Sequence, residues 1–416
     1  MQSPTPISVG IDFGTSNSSV AYAGGDRSEL LPLEDDRRTI PTAIFFANED
    51  EAAFYGELAQ QKYLAMEPGR YLRNLKKVLG TRLAADSTYA LGREWAFTEI
   101  IGSFVAQLKS RAEANLQQTI DNVVLGRPVF FSERNPDADR AAQEMLGNIA
   151  HEAGFKQVEF MYEPVAAAHA ITAEDVSNRE KLILIADLGG GTSDFSVLRA
   201  GPAGTEILAN TGIVFGGSDI DRWLSLKAVM PLLGFGGATK VPGRQLPTKL
   251  YFDLATWHLI DSLYGLETAE HLTYLRINAK DTAPIAVLSA LLQERRGHEL
   301  AIKVEAAKVA LSNAATAEVV LQLQQQRLNA PVSQDLLAAA VVDGIRRIRV
   351  AVQDCLKLAE LPRERVDYVM MTGGTSLIPP IYAAFQEDFK TAEIQSQDVF
   401  GAVGRGLGLH AQRIFA

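Results

Sequence analysis

The chain has one cysteine, Cys355. A single thiol excludes an internal disulfide framework and any cysteine-built zinc site, and it fits a reducing compartment. The start, Met1-Gln2-Ser3-Pro4-Thr5-Pro6, has neither a positive nor an apolar stretch, so it does not read as a secretory leader. No apolar run approaches the roughly 18 residues of a membrane span. Basic residues are in deficit: 40 Lys and Arg stand against 50 Asp and Glu, a formal net charge of −10. That balance offers no broad basic surface for phosphate backbones and argues against a nucleic-acid partner. His169 and His410 have no partner at metal-ligand spacing, so both read as structural. These absences leave a cytoplasmic protein, expected as a monomer, with no membrane or nucleic-acid partner.

What is present is ordinary globular composition, 47% hydrophobic and 22% charged, which excludes disordered, collagen-like and coiled-coil chains. The 416 residues allow two or three domain-sized units. One pattern occurs twice. Ile7 to Ile11 reads as a strand, Asp12 to Asn17 as a polar turn, and Ser18 to Ala23 as the return strand. Lys181 to Ala186, Asp187 to Asp194 and Phe195 to Leu198 repeat it, so two duplicated α/β halves are expected.

Between the hairpins, strands are expected at Ile44–Phe46, Asn122–Val129 and Val158–Met161, with helices over 97–118 and 137–153. Beyond them, Gly216 and Gly217 precede a helix with Ser218 or Asp219 as its N-cap. Residues 233–248 read as a Gly/Pro loop, 250–326 as mostly helical and 335–360 as helix. A strand at Val366–Met371, a Gly-rich turn at Thr372–Ser376 and a helix at Ile381–Phe389 follow. Strands alternating with helices give an α/β fold with a mixed sheet in each half. Cys355 falls in an apolar helical pattern and reads as core.

Three polar Gly-rich turns thus follow apolar strands. Glycine admits close backbone approach, and successive free N–H groups form an anion-binding nest. Neither a Walker A loop nor a dinucleotide fingerprint is present. Asp12, Asp187 and Asp194 would oppose phosphate oxygens unless a cation lies between, which implies Mg²⁺. A lone Asp-x-Gly would read as a tight turn. Two in register plus a third Gly-rich turn favour a phosphate site.

Here the chain resembles a known family. Gly10-Ile11-Asp12-Phe13-Gly14-Thr15-Ser16-Asn17-Ser18 is similar to the first phosphate motif of DnaK-type heat-shock chaperones, in the actin and sugar-kinase ATPase superfamily. Asp187-Leu188-Gly189-Gly190-Gly191-Thr192-Ser193-Asp194 resembles the second phosphate motif. Tyr162-Glu163-Pro164-Val165-Ala166-Ala167-Ala168 resembles the connecting segment. Val369 to Pro379 resembles the adenosine motif, and Arg38-Thr39-Ile40-Pro41 the segment before the first insertion. Within the family the likeness is to short YegD-type chaperone-like proteins.

The resemblance implies a bilobed actin-like ATPase fold with two ribonuclease-H-like halves around a nucleotide cleft. Lobe I would span 1–180, with a core of 1–36 and 112–180 and an insert at 37–111. Lobe II would span 181–416, with a core of 181–226 and 310–416 and a mostly helical insert at 227–309. No peptide-binding domain is expected.

By the same resemblance Asp12, Asp187 and Asp194 would serve Mg²⁺, with K⁺ as a second candidate ion. Gly14, Thr15, Ser16 and Asn17 would hold phosphates with Gly189, Gly190, Gly191 and Thr192. Gly216, Gly217, Gly373, Gly374 and Thr375 would line the nucleotide. Lys76, with Lys77 as the alternative, would orient the γ-phosphate. Glu163 and Asp187 would polarise water, Asp187 as general base. Pro128 and Arg140 would relay nucleotide state.

Glu305, Lys308 and Ser312, at i, i+3 and i+7, match ribose and adenine contacts. Val309 and Leu377 stand where the family has two arginines, and Phe400 where it has an aspartate. The function implied is a slow Mg-ATPase that switches conformation between ATP and ADP states and serves client or regulatory proteins. Alternatives are a small-molecule kinase or a non-hydrolysing ATP-binding scaffold.

Overall fold

The computed structural model describes residues 7–25, 27–65, 67–131, 135–174, 179–202, 204–324, 326–396 and 401–415. The chain start and Phe400 lie outside them. Two sheets sharing a five-strand plan organise the chain; the first has six strands, its extra one, Thr39–Pro41, pairing with Asn17–Ser19. The first contains β1 (Ile7–Phe13), β2 (Asn17–Gly24), β3 (Arg27–Leu30), β4 (Ile120–Arg127) and β5 (Gln157–Tyr162). The second contains β6 (Lys181–Leu188), β7 (Ser193–Gly201), β8 (Gly204–Ile213), β9 (Tyr368–Thr372) and β10 (Glu393–Gln395).

Their strand orders are β3-β2-β1-β4-β5 and β8-β7-β6-β9-β10, three antiparallel strands followed by two parallel ones. The expected duplication is therefore present strand for strand. β6 is buried continuously from Leu182 to Ala186, as a central strand covered on both faces must be.

Parallel neighbours need crossovers, and helices supply them. α1 (Phe97–Leu116) precedes β4, α2 (Pro136–Glu152) joins β4 to β5, and α3 (Glu163–Glu174) leads from β5 toward β6. In the second half α4 (Gly217–Leu224), α5 (Gly297–Ala310) and α6 (Gln334–Leu358) follow the antiparallel strands. Cys355 is buried on α6, as its apolar pattern requires.

Between β3 and α1 lies a small sheet of Ala43–Ala47, Ala52–Tyr55 and Gly69–Arg73 with the helix Glu57–Leu64. The boundary expected at residue 111 falls inside α1. Ile100, Ile101 and Phe104 of α1 share one core with Val9 and Ile11 of β1.

Three local expectations are corrected. Helix does not continue through 250–326: Thr316–Gln322 and Arg327–Ser333 form an antiparallel hairpin. Val319, Leu321, Leu328, Ala330 and Val332 are buried at every second position, a period of two that no helix can satisfy. The cap of α4 is Gly216. Asp219, at the third helical position, accepts from the Gly216 N–H at 3.1 Å, so its carboxylate reaches back rather than starting the helix. Finally, α7 (Ala402–Phe415) follows β10 but packs on β1, β2 and α3 of the first half. A side chain on Gly10 would collide with the backbone of Gly408, so this docking depends on a glycine contact.

Candidate functional site

The two hairpin turns face each other at the carboxyl ends of β1 and β6, where open α/β sheets place their ligands. Both aspartates are the penultimate residues of their strands rather than parts of the turns. Asp12 lies opposite Ser19 on β2, and Asp187 opposite Asp194 on β7. The loops left between the last strand pairs are Gly14–Asn17 and Gly189–Thr192. In each, a threonine hydroxyl donates to the carbonyl of the leading glycine: Thr42 to Gly14 at 2.8 Å and Thr375 to Gly189 at 2.9 Å. Thr42 was not legible as a site residue.

Lobe II holds its loop by further bonds. The N–H groups of Gly217 and Ser218 donate to the carbonyls of Gly189 and Gly190 at 3.1 and 2.7 Å. With these carbonyls turned into the lobe, the loop presents its amide edge to the cleft, as an anion nest requires. A Cβ at Gly190 would lie 2.6 Å from Ser16 Oγ, and one at Gly191 would collide with Lys77 Nζ. The glycines therefore make a cradle whose far rim, Ser16 and Lys77, comes from the other half. The third turn closes it from beneath. Gly373 has φ 77°, and a side chain there would strike Leu188 and Asp187; Gly374 and Thr375 continue as a 3-10 turn.

The floor is a cluster of charge. Lys76 Nζ donates to Glu163 Oε1 at 2.5 Å, with both side chains nearly buried. Burial opposes the Lys76 charge, but Glu163, Asp12 and Asp187 outweigh it and raise its pKa. Asp12 is pushed up to about 7 by burial and then by Glu163 and Asp187, against the pull of Lys76. Asp187 is pushed up to about 6 by burial and by Glu163, while the Thr372 hydroxyl, donating at 3.1 Å, and Lys76 oppose the rise. Three carboxylates share one ammonium, so the site carries uncompensated negative charge. A divalent cation fits that imbalance. Among the described residues no three His, Cys, Asp or Glu side chains converge closely enough to hold a metal by themselves. A cation here would take its remaining ligands from water or phosphate.

The nucleoside side of the cleft differs from expectation. Lys308 is held by Asp221 at 2.8 Å and by the Gly217 carbonyl at 3.3 Å. Asp221, pushed up to about 6 by burial although Lys308 opposes it, has no signal in sequence because its partner is 87 positions away. Glu305 is part-exposed and 3.6 Å from Arg73 of the first insert. Ser312 lies in the turn beyond the end of α5. Val309 and Leu377 are 60% and 43% exposed, two uncovered apolar side chains beside these polar groups. Val304, Ala307 and Leu311 form the buried stripe beneath.

Arg140 does not reach Pro128. It is exposed and pairs with Asp137. Arg127 does reach it: Nε donates to the Pro128 carbonyl at 3.1 Å, and Nη2 to Val129 at 3.2 Å and Asp139 at 2.8 Å. His169 and His410 prove to be neighbours, with ring centroids 6.1 Å apart.

Across the mouth of the cleft the two inserts meet through aromatic rings. Tyr63 stacks on Tyr71 at 4.5 Å, both lie 6.3 Å from Trp257, and Trp257 lies 4.6 Å from His298. Arg73 covers the Trp257 ring at 4.4 Å. This clasp had no signal in sequence, since its members are single aromatics scattered over 236 positions between Tyr63 and His298.

A family model described as Hsp70 protein matches residues 8–229 and 276–412, well over half of the 416-residue chain. The match spans both hairpins, the Lys76–Glu163 pair, α5 and the third turn. It leaves out 230–275, the part of the second insert that carries Trp257. Among the described residues no helix is long and apolar enough to cross a membrane.

Proposed function

The chain belongs to the Hsp70 family, an ATP-binding, chaperone-like ATPase with the bilobed actin-like fold, and from that premise we propose that it binds Mg-ATP, hydrolyses it slowly and changes lobe closure with nucleotide state. The division into lobes near residue 180, each with an insert, and a place among the short YegD-type members belong to the same proposal. The observation that carries it is the pairing of two like hairpins, Asp12 against Asp187, around one buried Lys76–Glu163 pair.

In this reading phosphate oxygens take the amide edges of Gly14–Asn17 and Gly189–Thr192 together with Ser16 and Lys77. Preorganised donors of this kind stabilise the charge that develops on transfer. Mg²⁺, held by Asp12, Asp187 and Asp194 through water, would neutralise phosphate charge. Glu163, fixed by Lys76, and Asp187 orient a water, and Asp187 accepts its proton as general base. With its pKa near 6, Asp187 is mostly ionised at neutral pH yet still basic enough for that task. Lys76 then orients Glu163 directly, and Lys77 is the cation closer to the phosphate loop. Gly216 and Gly217 brace that loop, while Glu305, Lys308 and Ser312 border the ribose, Lys308 through Asp221.

The test is phosphate release by wild type, Asp187→Asn and Lys76→Ala in Mg²⁺. Slow turnover in wild type and loss in both variants is expected; equal rates in all three would sink the catalytic assignment. A sugar or acid that raised turnover many-fold would favour a kinase, and tight binding without turnover a scaffold. The exposed Val309 and Leu377 supply flat apolar contact without base-specific donors, so adenine preference should be weak. Calorimetry with ATP and GTP is expected to give affinities within about tenfold, since such contacts discriminate by only about 1 kcal/mol; strict selectivity would point to another residue reading the base.

A further inference from the structure

Beside the paired aspartates is a small, partly open chamber of about 30 Å³, whose polar lining is Glu163, Asp187, Asp194, Ser196, Asn210 and Thr372. The rest of its wall is apolar or proline. A chamber this size holds a water where two to four polar partners are present. The sheet register explains why these residues meet. Thr372, Asp187 and Asp194 form one row across β9, β6 and β7, and Ser196 pairs with Asn210 one step back on the same face.

The chamber is rich in acceptors and poor in donors. Ionised Glu163, Asp187 and Asp194 only accept. The Thr372 hydroxyl already donates to Asp187 Oδ1. Ser196, itself buried, donates to Asn210 Oδ1 at 2.7 Å. With Oδ1 accepting from the serine, Nδ2 is the donor that Asn210 has left to offer the chamber it lines.

We infer that Asn210 positions the attacking water and that Ser196 orients Asn210. This rests on the hydrolytic reading above. The water gives its two hydrogens to Asp187 and Glu163 and accepts one hydrogen bond from Asn210 Nδ2, which leaves one lone pair for the terminal phosphorus. As the water oxygen bonds to phosphorus, the phosphorus–oxygen bond to ADP breaks, the electron pair leaves with ADP, and the water's proton passes to Asp187. Asn210 also borders a larger open cavity of about 580 Å³ beside Phe130 and Arg347.

Single-turnover phosphate release and nucleotide calorimetry on the full chain test this, with melting curves to verify folding. Asn210→Leu should lower the hydrolysis rate by about 10- to 100-fold, in the range of one lost positioning group, while ATP and ADP affinities stay within about threefold. Ser196→Ala should lose less, and Ser196→Thr, which keeps the hydroxyl, should restore the rate. Asn210→Asp should slow the reaction and move the acidic limb of the rate profile to higher pH, because it adds a carboxylate beside Asp187. A wild-type rate in Asn210→Leu, with Asp187→Asn inactive, would overturn this inference and leave the hydrolytic reading standing. A loss in Asn210→Leu matched by an equal loss of affinity would also overturn it. Wild type that binds nucleotide but releases no phosphate would overturn both.

Discussion

The two halves share a hairpin but not a role. Each carries an aspartate one residue before the end of its first strand, spans four residues and pins the leading glycine through a threonine hydroxyl. They differ in what surrounds that frame. Asp12 faces Ser19, and the threonine that pins its loop, Thr42, comes from the bend between the strands Thr39–Pro41 and Ala43–Ala47. Asp187 faces a second carboxylate, receives a hydroxyl from Thr372 and has the water-sized chamber beside it. In the second loop Gly190 and Gly191 leave room for Ser16 and Lys77 of the first half, while a Cβ at Gly189 would press on the loop's own Thr192 carbonyl. Duplication supplied the geometry, and the neighbours gave the two aspartates different surroundings.

That difference makes the largest prediction. Asp187→Asn should reduce single-turnover hydrolysis by about 10²- to 10⁴-fold at saturating nucleotide and Mg²⁺, the usual weight of a general base. Asp12→Asn should instead weaken Mg²⁺-dependent affinity. Equal rate losses at fixed saturation would erase the asymmetry.

Next comes the ion pair of the second half, Lys308 with Asp221. Lys308→Ala leaves Asp221 buried without its ammonium and should cost about 3–5 kcal/mol, read by denaturant unfolding. A cost below about 1 kcal/mol would mean that Asp221 simply takes up a proton.

The clasp separates mouth from floor. Trp257→Ala removes the ring shared by both inserts and should speed nucleotide release about tenfold while leaving the chemical step unchanged, because lids commonly set release rates. Stopped-flow displacement checks this; an altered chemical step with unchanged release would reverse the roles of mouth and floor.

The pH dependence follows from the raised carboxyls. With folded pKa values of about 7 for Asp12 and about 6 for Asp187 against 3.8, the nucleotide-free folded protein holds more protons than the unfolded chain within that window. Their contribution to stability is therefore present at low pH and lost as pH rises toward 7. Melting temperatures at pH 5 and pH 7.5 should show a drop that Mg²⁺ and Asp12→Asn both reduce; an unchanged drop in both would refute it.

The smallest effect tests the likeness itself. Thr42→Val and Thr375→Val each remove one hydroxyl–carbonyl bond and should each cost about 1 kcal/mol. Clearly unequal costs in thermal unfolding would show that the two loops are braced differently.

Much of the site was legible because its chemistry is local. Asp12, Gly14–Asn17, Asp187 and Gly189–Thr192 announce themselves by spacing within a dozen residues. Errors arose where a residue's meaning depends on a distant partner. Arg140 was expected beside Pro128, but helix α2 turns it to solvent and Arg127 takes the contact. Asp221, the carboxylate that holds Lys308 from 87 positions away, likewise lay beyond any local pattern. The hairpin at 316–333 was hidden because its alternation is short and flanked by long helices.

The sequence by itself determined the two phosphate turns, their strands, the absence of disulfide or cysteine–metal chemistry, and the duplicated α/β plan, since periodicity, turn chemistry and composition act over a few residues. Only the tertiary structure decided that α7 returns to the first half, that Ser196 donates to Asn210, and which ammonium faces which carboxylate. Those outcomes depend on burial and on groups brought within 3 Å from far along the chain, where desolvation multiplies the effect of every charge.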